Sequence, residues 1–189
     1  MALKKITKDG YGQLELNLVA FPRTGRVVAQ YAAGATFTGA EGDDRYLENG
    51  MLLKVDGANR CVDKATPAAG DIYALNYSTE HMYDERQYAL KTFRLDSVND
   101  FYPRLGYLEA GDKFTTNCLC FDTEDYATEE ALMTALASFK TTPVYAGACE
   151  LGYIQLTDAI PANGPALRVI EVYTMPDGQF GVKLEAIRG

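Results

Sequence analysis

The stretch RVIEVYTMPDGQFGVKLEAI, residues 168–187, decides the fold class. Its central tetrapeptide MPDG has Pro176 at the second position and Gly178 at the fourth, as a type I turn prefers. Beyond the turn, Phe180, Val182 and Leu184 occur at every second position, which places their side chains on one face of a strand. The stretch therefore predicts a β-hairpin with two long strands.

The same alternation of turns and short strands recurs through the rest of the chain. Asn49-Gly50 is a strong tight-turn signal before a predicted strand at 51–55. Residues 67–77 repeat the pattern, with a Pro/Gly turn followed by a strand. The stretch KFTTNCLCF, residues 113–121, is also strand-like. Turn signals spaced by about 8–12 residues predict a mainly β fold, a barrel or sandwich of short antiparallel strands.

One α-helix is predicted near residues 128–139. Thr128 suits the N-cap, and Glu129 and Glu130 follow in the first turn, where the helix dipole favours acidic side chains. An apolar stripe continues at helical spacing with Leu132, Leu136 and Phe139.

The N-terminal region differs in composition from the rest. QLELNLV, residues 13–19, predicts a half-buried strand with Leu14, Leu16 and Leu18 on one face. AAGATFTGAEGDD, residues 32–44, is rich in small residues and typical of a linker. We therefore expect an extended N-terminal arm and Gly/Ala-rich linker at residues 1–43 and a β-rich body at residues 44–189.

The charge distribution is asymmetric. Residues 1–31 contain five cationic and two anionic side chains, so the chain's net charge of −8 leaves −11 for the remainder. An acidic body repels phosphate backbones, which argues against nucleic-acid binding. A basic segment on an acidic body suits docking on an acidic protein surface; the alternative is that these cations are simply solvated.

The residues with reactive side chains form no catalytic pattern. The single histidine, His81, lies in a polar stretch, and the acidic runs at 39–44 and 121–126 lack the spacing of a calcium loop. Cys118 and Cys120 share a face of the predicted strand, and unpaired cysteine is usually buried, so we expect both in the core. We expect no catalytic residue, no metal and no cofactor.

Thirteen tyrosines stand out in a chain that lacks tryptophan. Several fall in the irregular stretch 77–88, which includes Tyr77 and Tyr83. Tyrosine is favoured at protein interfaces, so this stretch is a candidate partner surface. The alternative is the ordinary preference of tyrosine for β-sheets.

Five phrases together resemble a known group of proteins. They are LENGMLLKVDG (47–57), PAAGDIYALNYSTEHMYDE (67–85), FYPRLGYLEAGDKFTTNC (101–118), TTPVYAG (141–147) and VYTMPDGQFGVKLEAI (172–187). In their order and residue patterns they resemble small structural proteins of tailed-bacteriophage heads, which are described as decoration (cement) or head-fibre proteins. The resemblance covers nearly all of residues 45–189, and no single motif within it is diagnostic.

The resemblance implies a non-enzymatic virion protein on the capsid surface, made in the host cytoplasm. Its partners would be the major capsid protein and neighbouring copies of itself, with which it could form a homotrimer. The resemblance implies binding to neither nucleic acid nor membrane. A fibre or receptor-binding module that contacts the host is the alternative. The side chains that we expect to contact a partner are Lys4, Lys5, Lys8, Leu14, Leu16, Leu18, Arg23, Arg26, Tyr77 and Tyr83.

Overall fold

Residues 2–8, 12–21, 25–28, 30–78, 94–96 and 102–189 are described by a computed structural model of the chain. Within them the fold is mainly β, as predicted, and its two mixed sheets form a sandwich rather than a closed barrel. A third sheet has two strands, β5 (Tyr46–Glu48) and β9 (Arg94–Asp96).

The larger sheet has eight strands in the order β1-β12-β14-β13-β15-β16-β11-β2. Its strands are β1 (Leu3–Lys5), β2 (Leu14–Leu18), β11 (Lys113–Thr116), β12 (Leu119–Asp122), β13 (Tyr145–Ala148), β14 (Ile154–Thr157), β15 (Ala166–Thr174) and β16 (Phe180–Arg188). All neighbours are antiparallel except the parallel pair β12 and β14.

The smaller sheet has six strands in the order β3-β10-β8-β6-β7-β4. Its strands are β3 (Val27–Val28), β4 (Ala32–Ala33), β6 (Leu52–Asp56), β7 (Cys61–Asp63), β8 (Tyr73–Asn76) and β10 (Leu105–Gly106).

The predicted hairpin is confirmed as β15 and β16. Its turn is closed by Gly178 N, which donates to Met175 O at 2.8 Å. Gly178 has φ +89°, a conformation that glycine adopts without steric cost. Both strands run nine residues, and they are the fifth and sixth of the eight strands in the larger sheet.

The larger sheet curls strongly. The chain passes from β11 to β12 through Asn117 and Cys118 alone, although four strands separate β11 from β12 in the sheet. Thr116 and Leu119 are three residues apart, so at most about 10 Å separates them. The two ends of the sheet therefore lie close together, although the strand order shows no pairing between them among the described residues.

The predicted helix is confirmed as α2 (Glu129–Ala137), and Thr128 caps it by accepting a hydrogen bond from Ala131 N at 3.2 Å. Leu132 and Leu136 are buried in the core. A shorter helix, α1 (Ala35–Thr38), and a 3₁₀-helix at Gly42–Arg45 were not predicted.

Cys118 and Cys120 are fully buried on one face, as predicted. The opposite face of β12 is buried too, with Leu119 and Phe121 in a second cluster. Strand β6 divides its residues in the same way, Leu52 to one cluster and Leu53 to the other. Strands β6 and β12 therefore lie between two apolar clusters and contribute buried side chains to both.

The N-terminal region is not an extended arm, contrary to our expectation. Strands β1 and β2 form the two edges of the larger sheet, and β3 and β4 form the two edges of the smaller one. Within the expected linker, Phe37 is fully buried. The small residues around Phe37 allow close packing and do not form a flexible linker. For example, a Cβ on Gly34 would lie 2.1 Å from the Asp63 carboxylate.

Leu18 also differs from prediction. The register of β2 against β11 shifts by one residue between Glu15 and Leu18, which marks a β-bulge. The bulge puts Leu18 opposite Lys113, on the face that carries Glu15 opposite Thr115. Leu14 and Leu16 remain half-buried against the core, whereas Leu18 is 64% exposed.

Candidate functional site

Three of the predicted partner-binding residues are exposed. Lys4 and Lys5 are exposed on the edge strand β1, and Leu18 is exposed on the edge strand β2. Leu14 and Leu16 contribute to the core instead. Arg23, Tyr83 and most of the tyrosine-rich stretch 77–88, as well as His81, lie outside the described residues.

Lys5 and Lys8 both form ion pairs within the chain, Lys5 at the surface and Lys8 with a buried carboxylate. Lys8 Nζ forms an ion pair with Glu48 Oε2, and the Glu48 side chain is 2% exposed. The same carboxylate oxygen accepts from Gly12 N at 3.0 Å and from the Tyr153 hydroxyl at 3.1 Å. Lys5 Nζ lies 3.1 Å from Asp44 Oδ1 and 4.8 Å from the centre of the Tyr153 ring. This cluster joins the N-terminal segment to the body.

Arg26 and Tyr77 also make internal contacts. The Arg26 guanidinium lies 3.3 Å from carboxylate oxygens of both Asp112 and Glu109, and it donates to Tyr107 O at 3.0 Å. Tyr77 is buried, with its ring centre 4.9 Å from that of Phe21.

The exposed Leu18 belongs to a row of side chains that crosses six strands. The strand registers place consecutive members of this row directly opposite one another. We call it the outer row: Thr157, Tyr145, Arg168, Glu185, Lys113 and Leu18. It lies on the solvent face of the larger sheet, whereas the neighbouring residues Leu167, Leu184 and Phe114 are buried on the opposite face.

The centre of the outer row is charged and internally balanced. Glu185 forms ion pairs with Arg168 on one side and with Lys113 on the other, the latter at 3.4 Å. The hydrogen bond that Arg168 donates holds the pKa of the Glu185 carboxyl below its ordinary value, and Lys113 lowers it further. The carboxylate is therefore ionised at neutral pH and the three side chains hold one another in place.

An apolar groove of about 470 Å³ borders the row. Ile160 and Ile187 line it, and they are 53% and 39% exposed. The other lining residues are Ala110, Gly111, Pro143, Tyr145, Ala186 and the ion-paired Arg168 and Glu185. We call the outer row together with Ile160 and Ile187 the outer face.

A second groove, of about 280 Å³, lies on the other side of Ile160. It contains the carboxylates of Asp125 and Asp158. Partial burial raises the pKa of Asp125, and the nearby negative charge of Asp158 raises it further. Within the part of the chain that the structure describes, no cation forms an ion pair with either residue.

Burial shifts the pKa values of two of the buried cysteines, Cys118 and Cys120, upward, whereas a hydrogen bond with Cys120 lowers the pKa of Cys149. Burial raises the pKa of the Cys118 thiol to about 12. The Cys120 and Cys149 sulfurs lie 3.3 Å apart, and burial keeps the pKa of Cys120 well above its ordinary value. Among the described residues, no three His, Cys, Asp or Glu side chains are arranged to hold a metal ion.

The chain matches no protein-family model, no curated protein and no solved structure in comparisons with all three. In the described residues, no helix combines the length and the apolar character needed to cross a bilayer.

The sequence carried only part of the signal for the outer face. The alternation in residues 168–187 assigns Glu185 to the face opposite Leu184, so the charged side of the hairpin was accessible to pattern reasoning. Ile160 lies in a short loop without periodicity, and only the tertiary structure places it beside Ile187.

Proposed function

We propose that the protein is a non-enzymatic structural component that binds the outside of a phage capsid through its outer face. The observation that carries the proposal is the grouping of exposed aliphatic side chains on one sheet face. Leu18, Ile160 and Ile187 are among the large apolar residues that the fold leaves exposed, and all three belong to this face.

The composition of the outer face suits a protein interface. A typical interface has apolar anchors surrounded by polar side chains. Charged groups that already form ion pairs in the free protein can be buried there without leaving an unpaired charge. The Arg168–Glu185–Lys113 triad meets that condition. A stable complex would bury more than about 1,000 Å² in total, which requires the wide surface of a six-strand row rather than a single pocket.

The sheet edges are less suited to this role. Strand β1 carries Lys4 and Lys5, β2 is bulged, and β3 and β4 have two residues each. Lysines, bulges and short length are the means by which proteins prevent strand addition at sheet edges. We therefore favour binding through the sheet face over addition of the strand Leu14–Leu18 to a neighbour's sheet.

The test is co-sedimentation of the purified protein with phage heads that lack it. We expect saturable binding by the wild type and a loss of about tenfold or more with Leu18→Asp or Ile187→Asp, since charge at a buried anchor is strongly unfavourable. Ile72→Asp is the matched control, because Ile72 is 57% exposed but lies outside the outer face. Equal binding by all variants would contradict the assignment to this face.

A fibre or receptor-binding role is the second candidate. The exposed side chain of Tyr102, 56% accessible, favours it, because tyrosine is a frequent interface residue. Under this alternative the protein would not bind heads through the outer face. It would adsorb to host cells, and Tyr102→Ala would weaken the adsorption.

A further inference from the structure

Two grooves of different chemistry share the side chain of Ile160. The apolar groove lies between Ile160 and Ile187, and the acidic groove contains Asp125 and Asp158. Asp158 and Ile160 are two residues apart in one loop, so an extended peptide of a few residues is long enough to reach both.

The loop that separates the grooves is held firmly. Arg188 donates to Pro161 O at 2.7 Å and to Gly164 O at 3.0 Å, and Ala159 N donates to Thr157 Oγ1 at 3.0 Å. A Cβ on residue 147 would lie 2.8 Å from Pro161, so the absence of a side chain at Gly147 lets the loop rest on the sheet. A site that is already formed loses little conformational entropy when it binds a ligand.

We propose that the two grooves together form a docking site for an extended segment of a partner protein that carries an aliphatic side chain beside a lysine or arginine. The aliphatic side chain would enter the groove between Ile160 and Ile187, and the cation would lie over Asp125 and Asp158. This inference rests on the proposed function, since it specifies which partner chemistry the outer face recognises.

Charge complementarity selects this occupant. The two carboxylates of the acidic groove lack a cationic partner among the described residues, so an incoming cation gains an interaction that the free protein does not provide. An anionic segment would be repelled there, and a purely apolar segment would leave the carboxylates unused. The acidic character likewise disfavours a phosphate backbone.

The experiment uses the full-length protein, labelled with ¹⁵N, and two synthetic peptides observed by NMR titration. The peptides are Ac-Gly-Ser-Leu-Lys-Ser-Gly-NH₂ and the same peptide with glutamate in place of lysine. We expect the lysine peptide to shift amide signals of Tyr145, Asp158, Ile160 and Ile187, and to bind about threefold more tightly than the glutamate peptide, as an exposed ion pair warrants.

Three variants make the test specific. Asp158→Asn should reduce the preference for the lysine peptide, since only Asp125 then attracts the cation, and both peptides should still bind. Ile160→Ser should weaken both peptides, and Ile72→Ser, an exposed isoleucine elsewhere, should change neither. All three positions are exposed, so the folded state is expected to survive each change, and the unperturbed spectrum verifies this.

Equal affinity for the two peptides, shifts at other residues, or no shift at millimolar peptide would each overturn the proposal. Concentration-dependent shifts of the same residues without peptide would assign the grooves to a second copy of the chain instead. Head co-sedimentation separates this inference from the proposed function. Heads that bind the wild type and the Asp158→Asn/Ile160→Ser double variant equally would refute only the docking site.

Discussion

Glu48 has more contacts with distant parts of the chain than its position in a three-residue strand suggests. Its carboxylate receives Lys8 Nζ, Gly12 N and the Tyr153 hydroxyl, and Asn76 Nδ2 donates to its backbone oxygen at 2.8 Å. A buried carboxylate with several donors is stable only while those donors stay in place. The cluster therefore makes the position of the N-terminal segment depend on a charge pair.

Replacing Lys8 with methionine should destabilise the protein by about 3 kcal/mol, because it leaves the Glu48 carboxylate buried without its cation. Urea unfolding followed by circular dichroism measures the change. The matched control is Lys4→Met, at an exposed lysine on β1, which should alter the free energy of unfolding by less than about 0.5 kcal/mol.

A second variant separates the lost charge from the lost packing. Combining Lys8→Met with Glu48→Gln removes the unpaired charge, so the double variant should lose less stability than the two single variants added together. Additive losses, or equal effects of Lys8→Met and Lys4→Met, would show that the pair contributes nothing specific.

At the scale of single elements, the bulge in β2 has the clearest consequence. Without it, three leucines at alternate positions would share one face, as the sequence predicts. With it, Leu16 stays half-buried against the core and Leu18 turns to solvent on the outer row. One extra residue thus converts a core position into a surface position.

The two leucines should therefore respond differently to the same substitution. Leu16→Ser should lower the free energy of unfolding by about 1–2 kcal/mol, since it removes half-buried apolar surface, whereas Leu18→Ser should change it by less than about 0.5 kcal/mol. Thermal unfolding of both variants measures this. Equal losses would mean that β2 is an unbroken strand with all three leucines on one face.

The elements that are determined by neighbouring residues in the sequence could be predicted. The 168–187 hairpin follows from its turn residues and alternation, helix α2 from its cap and stripe, and the burial of Cys118 and Cys120 from residue type. The bulge was not predictable, because it depends on which strand pairs with β2. The structure of residues 32–44 was not predictable either, because small residues are as typical of close packing as of a linker.

At the scale of the whole molecule, the outer face joins residues from Leu18 to Ile187. No window of sequence contains it, and its members are brought together by pairing between strands that are distant in the chain. This explains why the alternation in residues 13–19 placed Leu18 on one face with Leu14 and Leu16, and why pattern reasoning missed Ile160. We therefore expect the fold to unfold as a single cooperative unit.

Deletion of residues 1–38 should therefore unfold the protein. It removes four sheet-edge strands and the buried Phe37, and it leaves Glu48 without Lys8. We expect loss of the cooperative thermal transition and of dispersed NMR signals in the truncated chain. A truncated chain that keeps a cooperative transition would show that the body folds independently of the N-terminal strands.

The pairing of early strands with late ones also bears on how the chain folds during translation. Strand β2 pairs with β11, about 100 residues downstream, and at roughly 5–20 residues per second the ribosome needs several seconds to supply it. Strand β11 in turn needs β16, which is made later than every other strand of that sheet. The leucines of β2 thus leave the ribosome well before the strands that cover them have been made.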